Sequence, residues 1–182
     1  MYGLVNKAIE ELVSERFGKA AWEKVLKVSG IEEDGFVSNQ PYDDAVTYKL
    51  VEAAVEILGL SSEEVLKAFG EHWVLQTATK GYGPMLDAAG SNLVEFLNNL
   101  PGLHTRVALI FPELKPPRFD VTHLGEGELT LHYWSDRPGL DSMVKGLMIG
   151  LGKRFNQQVE VVQTVFQDEE HDHAEFLVKY AA

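Results

Sequence analysis

Leu129-Thr130-Leu131-His132-Tyr133-Trp134-Ser135-Asp136-Arg137 alternates with the period of a β-strand, which turns every second side chain to one face. Leu129, Leu131, Tyr133, Ser135 and Arg137 share that face, so it grades from apolar to polar along its length. Two hydroxyls and a planar guanidinium make a donor set for a carboxylate, which the guanidinium can hold through two parallel hydrogen bonds. The row suits a ligand with an apolar body and an anionic end. The same alternation also describes the solvated face of an ordinary antiparallel sheet. If the leucine face is buried instead, its polar members need partners, because an unpaired buried polar group costs roughly 1 to 3 kcal/mol.

Outward from this stretch, the alternating pattern predicts strands over Arg118 to Thr122 and Glu128 to Ser135. Leu140 to Phe155 reads as a helix. Val159, Val161 and Val165, then Phe176, Val178 and Tyr180, read as two more strands joined by the acidic turn Asp168 to His173. Before Pro112, Pro116 and Pro117 the spacing is helical. Leu4 to Val13 predicts one helix and Trp22 to Val28 a shorter one, with Gly18 and Gly30 at their ends. A polar loop, Glu32 to Asp44, leads to a helix over Val46 to Leu58 closed by Gly59, and Ser61 with Glu64 forms a capping box opening the next. That helix carries Val65, Leu66, Phe69, Trp73 and Val74, and Gly81, Gly83 and Pro84 are expected to break it. Ser91 is expected to cap a helix through Leu93 to Leu97, with a separate segment around Leu103 to Phe111 after Pro101 and Gly102. The fold class is therefore α+β: a helical N-terminal subdomain, about residues 1–60, packed on a subdomain of further helices and an antiparallel sheet, about 61–182, with a binding crevice between them. All 182 residues form a single domain.

Composition narrows the function. The chain has 182 residues, a length that buries roughly 70 % of the unfolded surface in one core, and 45 % hydrophobic with 24 % charged residues is a globular balance. A net charge of -12 opposes nucleic-acid partners and anionic membranes. An anionic ligand then needs a local positive group, which makes Arg137 telling. The absence of cysteine removes disulfides, thiolate metal sites and thiol catalysis. No secretion signal or apolar run of roughly 20 residues is visible, so a cytoplasmic location is expected.

Of six histidines, His104 is the one set among apolar residues in a helical segment, and its imidazole can bind a metal. A histidine ligand, a carboxylate cradle and apolar walls are together the fittings of a haem site. His104 followed by Tyr133-Trp134-Ser135-Asp136-Arg137, with Pro116-Pro117 between them and a helix-then-sheet order, resembles the haem nitric oxide/oxygen binding (H-NOX) family, related to the haem domain of soluble guanylate cyclase. The resemblance covers essentially the whole chain. It implies haem b with His104 as axial iron ligand, Tyr133, Ser135 and Arg137 on the propionates, and Pro117 pressing on the macrocycle; without the resemblance, Pro117 only separates a helix from a strand.

Members that hold oxygen resemble one another in placing a tyrosine on the helix after the signature strand. Here that stretch reads Leu140, Asp141, Ser142, Met143, Val144, Lys145, Gly146, Leu147. Bound oxygen gains from a hydrogen-bond donor more than nitric oxide or carbon monoxide does, so the expectation is a sensor of nitric oxide and carbon monoxide with no stable oxygen complex. Trp73 is a candidate donor to bound gas or a core residue, and Met143 a candidate apolar wall. The resemblance implies a sensor and not an enzyme, in which nitric oxide weakens the bond to His104. With no output domain in the sequence, the signal is expected to pass to a separate protein such as a histidine kinase or a cyclic-nucleotide enzyme.

Two other readings stay open. A peroxidase-like haem enzyme would need a distal acid-base pair, for which the Trp73 region offers His72 and Glu71. A binding module for another apolar anionic ligand would use Arg137 as its anchor. Gly146, Gly150 and Gly152 do not make a dinucleotide fingerprint and more plausibly allow close helix packing. His171-Asp172-His173 can bind a metal adventitiously; the cysteine-borne structural zinc of some relatives near this turn does not carry over.

Overall fold

The computed structural model describes residues 1–32 and 35–181. Seven α-helices and four strands follow in the order α1 (Gly3–Phe17), α2 (Lys19–Ser29), α3 (Asp44–Leu58), α4 (Ser62–His72), a π-helical turn (Trp73–Ala78), α5 (Thr79–Asp87), α6 (Leu93–Ile110), β1 (Arg118–Gly125), β2 (Glu128–Trp134), α7 (Asp141–Arg154), β3 (Val159–Val165) and β4 (Ala174–Tyr180). The strands form one sheet in the order β1-β2-β4-β3, antiparallel throughout. This is the α+β architecture that the alternating stretch predicts.

Local chemistry explains the boundaries. Asp43 opens α3 by accepting the Ala45 N–H at 2.8 Å, and Gly59, at φ 64, closes it. The Ser61–Glu64 capping box forms as predicted. Of the polar loop expected from Glu32, Glu33 and Asp34 lie outside the described residues.

The break expected at Gly81, Gly83 and Pro84 is present as a kink at Tyr82 (φ -139, ψ 24), after a π-helical turn, and helical turns resume beyond it to Asp87. Three other expectations are corrected. The segments on either side of Pro101 are one helix, because the packing of Leu97, Leu100 and Leu103 outweighs the loss of a single backbone donor. Its cap is Asn92, whose side chain accepts the Glu95 N–H at 2.9 Å, while Ser91 binds the Glu95 carboxylate. Finally, β2 stops at Trp134, so Ser135 and Arg137 extend the row from a turn.

Two hydrophobic clusters make the core. One joins α1 to α4 around Trp22, Leu50 and Phe69. The other joins α6, α7 and the inner sheet face around Leu97, Leu131 and Phe176. Helices α4 and α7 link them at backbone distance: a β-carbon added at Gly70 would collide with the Met143 carbonyl, and one at Gly146 with the Lys67 carbonyl. No helix among the described residues is long and apolar enough to cross a membrane.

Candidate haem site

The inner face of β2 is buried. Leu129 and Leu131 are fully enclosed and Tyr133 is 4 % exposed, which settles the orientation of the row. Beyond Tyr133 lies a cavity of about 300 Å³. His104, Pro117, Tyr133, Ser135, Arg137, Trp73 and Met143 all line it, so the structure brings every sequence-predicted site residue to one space.

One wall is α6 with β1. The side chains that α6 buries, Phe96, Leu100 and Leu103 among them, dock the helix on the sheet and leave His104 facing the cavity beside Phe119, with ring centroids 6.0 Å apart. Burial lowers the His104 pKa, and a hydrogen bond to the Pro117 backbone, which has only its carbonyl to offer, pulls weakly the other way. The imidazole is therefore neutral at neutral pH, the form that ligates metals. Pro117 lines the same cavity and leads directly into β1.

The opposite wall is α4, the π-helical turn and α7, presenting Leu66, Phe69, Trp73, Met143 and Leu147. Trp73 packs edge-on against Phe69 at 6.2 Å. The π geometry is held by the Thr79 hydroxyl, which donates to the Val74 carbonyl at 2.7 Å and accepts from Arg154 at 2.7 Å. Such turns recur at functional sites, and nothing in the helical periodicity announces this one. On this wall α7 carries no tyrosine. Thr47, also at the cavity, gives its hydroxyl hydrogen to Asn6 at 2.6 Å.

At the polar end, burial raises the Tyr133 pKa against a side-chain hydrogen bond with Ser135, so the phenol stays protonated. The Ser135 hydroxyl accepts the Arg137 N–H at 3.0 Å. Arg137 is not free: its Nε donates to Asp44 at 2.7 Å and a terminal nitrogen to the Lys115 carbonyl at 2.8 Å. Asp44 also binds the Met1 ammonium. Burial would raise its pKa, but hydrogen bonds from that ammonium and from Arg137 overcome this and lower it. Asp44 and Lys115 are members of the cradle that sequence reading missed, since 93 residues separate Asp44 from Arg137.

Other predicted chemistry is not brought together. His72 lies outside the cavity lining, its ring 3.8 and 3.9 Å from Glu11 and Glu15 of α1, and Glu71 pairs with Lys153 at 2.7 Å. Neither offers the distal acid-base pair of a peroxidase. His171 turns to Asp168 at 2.9 Å and away from His173.

The apolar cavity, its neutral imidazole and its hydroxyl-guanidinium end fit haem: His104 could hold the iron, and Tyr133, Ser135 and Arg137 the carboxylates. A family model for haem-NO-binding proteins matches residues 2–163. The chain belongs to the haem-NO-binding, or H-NOX, family. Among curated relatives, soluble guanylate cyclase gcy-31 of Caenorhabditis elegans is 30% identical over 172 residues, covering 94% of this chain and 24% of the cyclase. Soluble guanylate cyclase gcy-37 of the same organism is 34% identical over 151 residues, covering 81% and 21%. The chain thus spans about a quarter of the length of these relatives. The fold superposes with a TM-score of 0.91 and 18% identity on a mutant H-NOX protein from S. oneidensis in the Fe(II) state, covering 100% of this chain and 97% of that one. As an H-NOX domain, the chain is a haem-binding sensor module related to the haem sensor of soluble guanylate cyclases.

Proposed function

We propose that this H-NOX domain senses nitric oxide through haem b held by His104, and that carbon monoxide also binds while oxygen forms no stable complex. The observation that carries the reading is one cavity that unites a partly buried, neutral imidazole with a carboxylate cradle, and whose α4–α7 wall offers no tyrosine hydroxyl. Haem bound there would supply a ferrous iron able to take a gas, with His104 as its protein ligand, and nitric oxide is expected to loosen that ligand.

The chain's own residues define the response. Tyr133, Ser135 and Arg137 hold the propionates, and Asp44 yields part of its hold on Arg137 to an incoming carboxylate. A freed His104 ring would have the Pro117 backbone beside it, and α6 would be able to shift against β1. Trp73 and Met143 shape the gas side. The two hydrophobic clusters meet at the cavity, so a change at α6 alters how the α1–α4 cluster sits on the sheet. A separate signalling protein, such as a histidine kinase or a cyclic-nucleotide enzyme, reads that shift, and the domain itself performs no catalysis. The placement of His72 against Glu11 and Glu15 argues against a peroxidase.

Absorption spectra of the reduced protein under argon, nitric oxide, carbon monoxide and air test this directly. The expected result is a nitrosyl spectrum without His104 bound, a carbonyl spectrum with His104 bound, and no oxy spectrum. A stable oxy form in air sinks the selectivity, and a colourless protein that takes up no haem sinks the site.

A further inference from the structure

On the outer face of the sheet, behind Tyr133, three side chains converge. His132 Nδ1 lies 3.0 Å from His173 Nε2 and 3.3 Å from Glu175 Oε1, and His173 Nε2 lies 3.3 Å from the same oxygen. His132 and Glu175 are register partners on β2 and β4, and His173 directly precedes β4. All three are partly buried, with side chains 20, 20 and 30 % exposed.

This triangle has the size of one face of a tetrahedral coordination sphere. Metal bonds of about 2.0 to 2.1 Å to nitrogen or oxygen space tetrahedral ligands about 3.3 Å apart. The far ring nitrogens are held from behind: His173 Nδ1 meets Asp172 Oδ1 at 2.5 Å, and His132 Nε2 meets Thr122 Oγ1 at 2.9 Å. A carboxylate only accepts, so Asp172 favours a hydrogen on His173 Nδ1, and in the neutral ring that leaves the Nε2 lone pair for a metal. That lone pair faces the Glu175 carboxylate. The single hydrogen of His132 Nδ1 serves both acceptors poorly, whereas one cation satisfies all three atoms.

We propose that His132, His173 and Glu175 bind a divalent transition-metal ion of the zinc class, with the fourth position open to water. The donor set uses no cysteine and excludes His171, so it differs both from the cysteine-borne zinc of some relatives and from the His171-Asp172-His173 motif. The ion ties β2 to β4 on the back of the residues that carry Tyr133 and Phe176. Trp134, stacked on His173 at 4.2 Å, sits beside it.

The test uses haem-loaded protein without a polyhistidine tag, stripped with chelator, dialysed against graded Zn2+ and analysed for metal. One tightly bound Zn2+ per chain is expected. His132→Ala, His173→Ala and Glu175→Gln should each weaken it by more than about 100-fold, and Asp172→Asn by at least about 10-fold; His171→Ala should leave it unchanged. Circular dichroism in chelator identifies any variant that misfolds, and the three ligand variants are independent readings of one site. Tight Zn2+ that survives both His132→Ala and Glu175→Gln overturns the proposal, as does binding only at millimolar Zn2+ or equal loss in His171→Ala.

Discussion

His72, buried, and His104, partly buried, are two histidines of one molecule whose pKa values desolvation moves in the same direction, and they occupy opposite kinds of surroundings. His72 sits 5 % exposed between α4 and α1, its Nε2 without a hydrogen-bond partner among the described residues, facing the carboxylates of Glu11 and Glu15. His104 faces an apolar cavity with Phe119 and the Pro117 backbone beside its ring. A ring among carboxylates is a proton acceptor held in waiting by burial. A ring with a lone pair toward an apolar space is a ligand for a metal. Burial of a histidine is therefore no mark of a cofactor site; what the free nitrogen faces is.

The comparison can be broken most directly by exchange. His104→Gly should abolish haem retention, with added imidazole restoring the spectrum, while His72→Gln should keep haem; loss of haem in His72→Gln and not in His104→Gly inverts the assignment. The wall that separates the two histidines depends on α4–α7 contact, so Gly146→Val should cost about 1 to 3 kcal/mol in urea unfolding, since a β-carbon there meets backbone. Arg137→Ala should speed haem transfer to apomyoglobin by about 10-fold, the loss of a charge-assisted anchor worth about 1.5 kcal/mol, with gas selectivity unchanged. The smallest effect is in pH. Folding stability of haem-free protein should fall as pH drops from about 7 to about 5, because the unfolded chain protonates histidine near the ordinary 6.5 while folded His72 and His104 resist. His72→Gln should flatten that slope; the charges around His72, namely Glu15, Glu11, Arg16 and Lys80, only modulate it.

Legibility in the sequence followed the range of the interaction. The Ser61–Glu64 box, the Gly59 terminus and the β2 alternation are local, and each formed as read. The site row was legible because a strand converts sequence period into direction. Helix α6 was not, because Pro101 is a strong local breaker that tertiary packing overrides. Asp44 on Arg137 and the meeting of His132 with His173 and Glu175 depend on strand register and helix docking across tens of residues, where no spacing rule operates.

The π-helical turn acts as a phase shifter. Phe69 and Ala78 are nine positions apart, about two and a half turns of regular α-helix, which would place them on opposite sides of the rod. Both instead line the cavity, because the wide turn between them absorbs part of the rotation. The run thereby turns two successive faces to the same ligand space, and deleting a single residue from Trp73–Ala78 would return it to regular α-helix with α5 still facing the cavity, whereas winding all six residues as α-helix without a deletion would rotate α5 out of it.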